Sequence, residues 1–410
     1  MFDKNSNKAK DTKSKRKALS VNTENSLTEA RPAQRMVRII GEVDKPFMIL
    51  TLVLIGIGVI AVASSSYSYA EANHGDSYYF TKNHIFYVIL GIAAMFAASL
   101  LDYRIYKKLS RLIYGIAIVL CVAVFIPGLG HTSGGATRWL NLGIKFQPSE
   151  ILKFAVIVVC AKYAADAKEK IKGFKCLGFY VLILGISAGI LVPQPHLSCI
   201  IILCALVFCM MVMGGVNWIY LLSALGLAGV AGVVLISVLP KLSFLSHAGS
   251  RLAVWFDPFD PLYFKNDGWQ PAQSLFAIAS GGVWGVGLGQ SNQKDGYIPE
   301  PQNDYIFSVI CEEMGFVGAV AIMLVFAALI WRGMYIAKKA PTVFSGLLVA
   351  GIVCQIGIQT LLNIAVVSNT LPSTGISLPF LSYGGTSLVI LMAQAGIVLS
   401  VSRHSIVEQE

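Results

Sequence analysis

The stretch GQSNQKDGYIPEPQNDYIFSVICEE, residues 289–313, joins a polar loop to an apolar helix. The polar part ends at Asp304, and the apolar run after it is long enough to enter a membrane. Asp304 is therefore expected where water meets membrane, with Glu300 four residues before it. A carboxylate at such an edge is costly and marks a candidate functional site. The rest of the chain must explain why it is there.

The composition predicts a membrane protein. Of 410 residues, 55% are hydrophobic and 13% are charged, whereas soluble domains carry about 25% charged residues. An all-α polytopic membrane protein follows, with about ten transmembrane helices and a large extracellular loop, residues 241–303, between helices 7 and 8. The ten apolar runs cover residues 47–68, 84–101, 111–127, 149–166, 177–193, 197–214, 217–240, 305–331, 343–366 and 384–402.

The net charge of +10 is concentrated near the amino-terminus, which argues against a nucleic-acid-binding role. Residues 1–46 predict a disordered basic cytoplasmic tail attracted to anionic membrane lipids. Basic residues also dominate alternate predicted loops, so the positive-inside rule puts both termini in the cytoplasm. The membrane domain is then residues 47–403, followed by a cytoplasmic carboxyl-terminal tail at 404–410.

Several candidate residues on the predicted outer side are cations: Arg138, Lys153 and Arg251. Lys153 lies one turn into the fourth predicted span, where it would pair with a carboxylate or an anionic ligand, or else snorkel to the interface. Cations near the membrane plane can hold a lipid diphosphate, and a carboxylate can take a proton from an attacking hydroxyl. These residues leave two classes open: a lipid-linked glycosyltransferase and a transporter.

Uncharged polar residues add a second pattern. Gln355, Gln359 and Asn363 recur every fourth residue on one face of the ninth span, either to line a site or to hold helices together. The glycine-rich stretch GGVWGVGLGQS, residues 281–291, is expected to let the backbone turn tightly. The cysteines and histidines show no metal-ligand spacing, so no protein-built metal site is predicted.

Four long motifs occur in the order found in a known family. They are GATRWLNLG with FQPSE (135–150), GWQPAQSL through GLGQSNQK (268–294), YIPEPQNDYIF (297–307) and LPSTGISLPFLSYGGTS (371–387). The chain resembles the shape, elongation, division and sporulation (SEDS) family of peptidoglycan polymerases. Its GLGQSNQK and PEPQND segments are more similar to the FtsW and SpoVE branch than to RodA.

The resemblance implies a glycosyltransferase that polymerises lipid II, an undecaprenyl-diphosphate-linked donor, into glycan strands. It would act on the outer face of the bacterial cytoplasmic membrane during septal cell-wall synthesis. Its partners would be a class B penicillin-binding transpeptidase and other division proteins. No tightly bound cofactor is implied, and Mg²⁺ or Mn²⁺ on the substrate diphosphate stays open. A lipid II flippase and a non-catalytic division scaffold are the alternatives.

By motif, the resemblance makes Asp304 the general base, and its position just before the apolar helix also fits a helix N-cap, a role compatible with the first. Glu300 would assist Asp304 or raise its pKa by like-charge proximity. Many relatives carry an acidic residue where this chain has His196, so the partner of Lys153 is open. The residues expected to bind substrate or order the cavity are Arg138, Lys153, Arg251, Trp269, Gln273, Ser274, Glu300, Gln359, Asn363 and Ser382.

Overall fold

The computed structural model describes residues 37–38, 41–133, 136–141, 143, 145–226, 229, 246–404 and 406–407. Most of the predicted amino-terminal tail lies outside the described residues, as do the last part of the seventh predicted span and the first residues of the 241–303 loop.

Helices make up most of the described chain. They are α1 (Lys45–His74), α2 (Tyr79–Leu100), α3 (Arg104–Ala123), α4 (Pro148–Ala167), α5 (Phe174–Leu191), α6 (Leu197–Gly214), α7 (Ser246–Phe256), α8 (Trp269–Gly281), α9 (Ile306–Lys338), α10 (Val343–Val367) and α11 (Thr386–Ser402). Residues 218–226 are also helical, and a 3-10 turn at Lys168–Lys172 joins α4 to α5.

These helices confirm a helical, multi-pass membrane protein. Six of them, α1, α2, α5, α6, α9 and α10, are long and apolar enough to cross a membrane. Helices α3 and α4 coincide with two more predicted spans but carry several charged residues each, and α11 has 17 residues. The count of ten spans stays a prediction, because the seventh is described only in part.

A small antiparallel sheet connects α3 to α4. Its strands, in spatial order, are β2 (Gly130–Ser133), β3 (Ala136–Asn141) and β4 (Lys145–Phe146). The sequence-based prediction contained only helices and did not anticipate this sheet, because strands of two to six residues show too little alternation. Strand β3 carries Arg138.

The two ends of the chain form a separate small unit. Its described residues are β1 (Val37–Arg38) and β5 (Ile406–Val407), which pair antiparallel.

Helix α10 lies at the centre of the large unit. Within the most apolar 18 residues of α10, 72% of the residues are buried, against 33% in the corresponding part of α9. It packs against α4, α6 and α9. Gln355, Gln359 and Asn363 are therefore buried inside the protein, as their spacing on one helix face indicated.

Helix α9 is broken at Gly315, whose φ of 64° lies in the left-handed region that favours glycine. Irregular backbone in a membrane helix needs hydrogen-bond partners from within the protein. Here the glycine-rich segment 282–287 supplies them. Its four backbone bonds are Val286 N to Glu312 O, Gly287 N to Glu313 O, Phe316 N to Gly282 O and Val317 N to Val283 O, at 2.9, 3.0, 2.9 and 3.1 Å.

Glycine is required where these two segments meet, because their backbones nearly touch. A Cβ atom on Gly281 would lie 2.0 Å from the carbonyl oxygen of Cys311. A Cβ atom on Gly285 would lie 2.2 Å from the carbonyl oxygen of Glu313. The glycine-rich stretch therefore provides close backbone approach, in line with its predicted role.

We predict that Gly281→Ala destabilises the protein by roughly 1–3 kcal/mol or more, because the new methyl group overlaps the α9 backbone. Thermal unfolding of the purified protein in detergent measures this. The matched control is Gly185→Ala in α5, where nothing lies within 4 Å of an added Cβ atom. Equal melting temperatures for the two variants would contradict the close-approach argument.

Candidate functional site

Asp304 lies two residues before α9 and does not cap it. The helix begins at Ile306 with Tyr305 in the N-cap position, and no side chain makes the capping hydrogen bond. The predicted N-cap role of Asp304 is therefore wrong. The side chain is partly buried, and in the described part of the chain no donor lies within hydrogen-bonding distance of its carboxylate. This carboxylate is free to accept a proton.

The backbone of Asp304 is held by Asn363 of α10. The Asn363 amide nitrogen donates to the carbonyl oxygen of Asp304 at 2.7 Å and to that of Ile376 at 2.6 Å. The carboxylate faces Gly375, where an added Cβ atom would lie 3.1 Å from Asp304 Oδ2. Asn363 thus joins the end of the 295–304 loop to the irregular segment before α11. It holds these segments together and does so directly beside the candidate base.

The surroundings raise the pKa of Asp304 to about 6. Burial is the largest cause, and the negative charge of Glu300 adds to it, as proposed from the sequence. The positive charges of Arg138 and Arg251 lower the pKa and oppose both effects. Glu300 itself is exposed and accepts a hydrogen bond from the Asn303 side-chain amide at 2.6 Å. Asp304 is therefore a stronger base than an ordinary aspartate, yet mostly ionised at neutral pH.

Two arginines accompany Asp304. Arg138 donates to the backbone carbonyls of Gln194, at 3.3 Å, and Pro195. Burial lowers the pKa of Arg138, Arg251 lowers it further, and Asp304 opposes both. Arg251, on α7, is exposed. The structure therefore brings together Asp304, Glu300, Arg138 and Arg251, which were predicted from segments far apart in sequence.

Lys153 is buried and pairs with Glu150, one turn earlier on α4, at 2.8 Å between Nζ and Oε1. Of the alternatives for Lys153, pairing with a carboxylate is confirmed. Glu150 also lines a cavity of about 20 Å³, room for about one water molecule, together with Gln359 and Ser382. The Ser382 hydroxyl accepts a hydrogen bond from the amide of Leu378 at 2.8 Å, so it also shapes the segment around it.

His196 does not take the place of an acidic partner for Lys153. Its Nε2 atom lies 2.6 Å from Gln147 Nε2 and 3.3 Å from Ser149 Oγ. Burial, with the nearby charges of Arg138 and Lys153, lowers the pKa of His196 to about 3. The imidazole is therefore neutral at physiological pH. The i, i+3 spacing of Glu150 and Lys153 could have predicted this ion pair from the sequence.

Helix α8 supports the loop that leads to Asp304. Trp269 Nε1 donates to the carbonyl oxygen of Tyr297 at 2.6 Å, and the Ser274 hydroxyl donates to that of Val367 at 2.8 Å. Gln273 is buried between them. These three residues position the loop and the end of α10, while direct contact with a substrate stays a prediction.

Both the sequence and the fold match known proteins. Residues 45–406 match the family described as cell cycle protein, which comprises FtsW, RodA and SpoVE. The chain belongs to this family. It is 38% identical to stage V sporulation protein E of Bacillus subtilis, over 88% of this chain and 97% of that protein.

Two further relatives of the FtsW/RodA/SpoVE family agree. A probable peptidoglycan glycosyltransferase FtsW of Geobacter sp. strain M18 is 36% identical over 80% of this chain and 88% of that protein. Among solved structures, one from a peptidoglycan synthase complex that coordinates polymerisation and crosslinking is 25% identical. It covers 88% of this chain and 98% of the matched chain, with a TM-score of 0.71. The structural match extends over almost the whole length of the solved chain.

In this family member, a buried ion pair holds the loop before Asp304 to α9. Lys294 Nζ lies 2.7 Å from Glu313 Oε1, and both side chains are almost fully buried. The hydroxyl of Ser64 on α1 donates to the same oxygen at 2.6 Å. The neighbouring Glu312 accepts hydrogen bonds from the Ser291 hydroxyl and from two loop amides. The sequence analysis did not indicate these partners.

We predict that Lys294→Ala lowers stability by about 3–5 kcal/mol, because it leaves the Glu313 charge buried without a cation. Thermal unfolding in detergent measures the loss. The double variant Lys294→Met, Glu313→Gln removes both charges and should regain most of the stability. A double variant as unstable as Lys294→Ala would show that the pair does not act as a unit.

Proposed function

We propose that this protein is a peptidoglycan glycosyltransferase that polymerises lipid II, with Asp304 as the general base. The observation that carries the proposal is the Asp304 carboxylate itself. It has no hydrogen-bond donor among the described residues, has a pKa of about 6, and is flanked by two arginines at the end of a membrane bundle. The relatives named peptidoglycan glycosyltransferase support the same activity.

In the proposed reaction, the Asp304 carboxylate accepts the proton of the attacking sugar hydroxyl. The hydroxyl oxygen forms a bond to the anomeric carbon of the donor, and the bond from that carbon to undecaprenyl diphosphate breaks with inversion. Arg138 and Arg251 would stabilise the negative charge of the departing diphosphate. A base whose pKa lies near the operating pH suits this step. The proposal includes no nucleotide and no tightly bound cofactor.

The location and partners form part of the proposal. Basic loops at the end opposite Asp304 favour the cytoplasm for that end and for both termini, and the outer face for Asp304. The match to a peptidoglycan synthase complex supports a class B penicillin-binding transpeptidase as partner. Similarity to FtsW and to a sporulation protein favours a role in septal cell-wall synthesis, together with other division proteins.

We predict that Asp304→Asn abolishes polymerisation, lowering the rate by about 10²–10⁴-fold, because the amide cannot accept the proton. The assay uses the purified protein with its transpeptidase partner and lipid II, with glycan strands resolved on a gel. Asp267→Asn is the matched control, because it makes the same change at an exposed residue of the same large loop.

Full polymerisation by Asp304→Asn would contradict the role of Asp304 as base. No polymer from the wild-type protein with any transpeptidase partner would instead favour the flippase or the scaffold. The Asp267→Asn control should make strands at the wild-type rate. A parallel loss in both variants would show that the assay reports general damage to the loop.

A further inference from the structure

A second pocket, with a mainly apolar lining and three basic side chains, lies at the end of the bundle opposite Asp304. Asp304 precedes the first turn of α9, whereas this pocket is beside the first turn of α10, which follows the last turn of α9. Its volume is about 410 Å³, within the range of small-molecule sites. Residues from α3, α4 and α10 line it, and none of them belongs to the Asp304 site.

The pocket has an excess of positive charge. Arg104, Lys107 and Lys108 all line it. Lys107 is neutralised by Asp166, with Nζ 2.8 Å from Oδ1. Arg104 is 3.9 Å from the nearest oxygen of Asp102, and within the described chain no carboxylate lies within 4 Å of Lys108. Lys108 is therefore available to an anionic ligand, and Arg104 is held only by this long, exposed ion pair.

The amino-terminus of α10 adds to this positive potential. Helix α10 begins at Val343, and the amides of Val343 and Phe344, which line the pocket, have no acceptor among the described residues. The helix dipole places partial positive charge there, whereas at the start of α3 the Asp102 carboxylate already accepts from the Arg104 amide at 2.8 Å. Phosphate groups bind at such termini.

Tyr103 supplies an independent sign of a missing ligand. It lines the pocket, it is 1% exposed, and its hydroxyl makes no hydrogen bond of good geometry in the described part of the chain, although the Arg104 side chain lies near it. A buried hydroxyl without a partner is costly. An oxygen atom of a bound molecule would satisfy it.

The surface around the cations is apolar, which distinguishes a lipid from a soluble anion. Ile105, Leu109 and Leu112 of α3 are exposed beside Arg104 and Lys108, and Val343 is 66% exposed at the mouth of the pocket. These side chains lie where α3 enters the membrane, so the acyl chains of a lipid whose headgroup occupies the pocket would contact them directly. Basic pockets between transmembrane helices are known to bind phospholipid headgroups.

We propose that this pocket binds the headgroup of an anionic phospholipid. The phosphate lies between Arg104, Lys108 and the amino-terminus of α10, and the Tyr103 hydroxyl donates to a headgroup oxygen. The acyl chains pack against the exposed apolar side chains of α3. This site is separate from the proposed polymerase site, so either proposal can fail without the other.

The test measures the melting temperature of the full chain in zwitterionic detergent as phosphatidylglycerol is added, with the retained lipid identified by native mass spectrometry. Phosphatidylglycerol should stabilise the wild type, and phosphatidylcholine should not. The double variant Arg104→Gln, Lys108→Gln should need at least about tenfold more lipid for the same shift. The matched control, Lys170→Gln with Lys175→Gln, removes two charges at the same end outside the pocket and should behave as wild type.

A further variant guards against a folding defect. Val343→Trp keeps every charge but narrows the mouth of the pocket, and it should also weaken lipid binding. Equal losses of lipid binding in the pocket variant and in the control would show that general surface charge causes the effect. Equal stabilisation by inorganic phosphate would identify a site for a free anion. Unchanged lipid retention in both pocket variants would show that these basic residues do not bind lipid and would favour contact with a protein partner. Each of these results would overturn the proposal.

Discussion

The architecture of the site depends on the break in α9 at Gly315. A membrane helix tolerates such a break only if other parts of the protein satisfy its backbone groups, and here the 282–287 segment does so with four hydrogen bonds. That segment cannot move away without exposing unpaired polar groups. The Lys294–Glu313 pair and the bonds to Glu312 then hold residues 291–294 against the same helix. The loop before Asp304 is thus attached at its start to the helix that follows its end.

The same attachment determines the surroundings of Asp304. With the loop held at both ends, Asn363 and the 371–385 segment enclose the aspartate from the other side. Its carboxylate is left partly buried and, among the residues that the structure describes, without the hydrogen bonds that a structural carboxylate would have. Such a group destabilises the protein when ionised, because burial favours its neutral form. Functional sites commonly keep a local cost of this kind when the surrounding structure imposes it.

Much of the fold follows from sequence patterns, and the exceptions have physical reasons. Apolar runs predicted nine segments that are helices in the structure, because burial in a membrane demands long apolar helices. The spacing of Gln355, Gln359 and Asn363 predicted a buried face. The β2–β4 sheet was missed because its strands are very short. The pairing of Lys294 with Glu313 and Ser64 was missed because it joins residues up to 249 positions apart, which no local pattern encodes.

Sequence patterns also predicted only part of the candidate site. Asp304, Glu300, Arg138 and Arg251 were selected from the sequence, partly through the family resemblance, and the structure brings them together. Trp269 and Ser274 were selected as residues that bind substrate or order the cavity. The bonds of their polar atoms to backbone carbonyls fit the second role, and substrate contact stays a prediction. Motif matching identifies which residues a site needs. It does not separate those that face a ligand from those that hold the site in shape, since both depend on the complete fold.

The described part of the fold leaves the Asp304 carboxyl group without a hydrogen-bond donor, and burial gives it the strength of a useful base. Infrared difference spectroscopy during a pH titration tests this most directly, with Asp304→Asn subtracted to isolate the one carboxyl band. Protonation should have its midpoint near pH 6, so the base is lost as the pH falls through that value. Glu300→Gln should move the midpoint to lower pH, because it removes a negative charge that raises the pKa. A midpoint at the ordinary value for aspartate, unchanged by Glu300→Gln, would contradict the account.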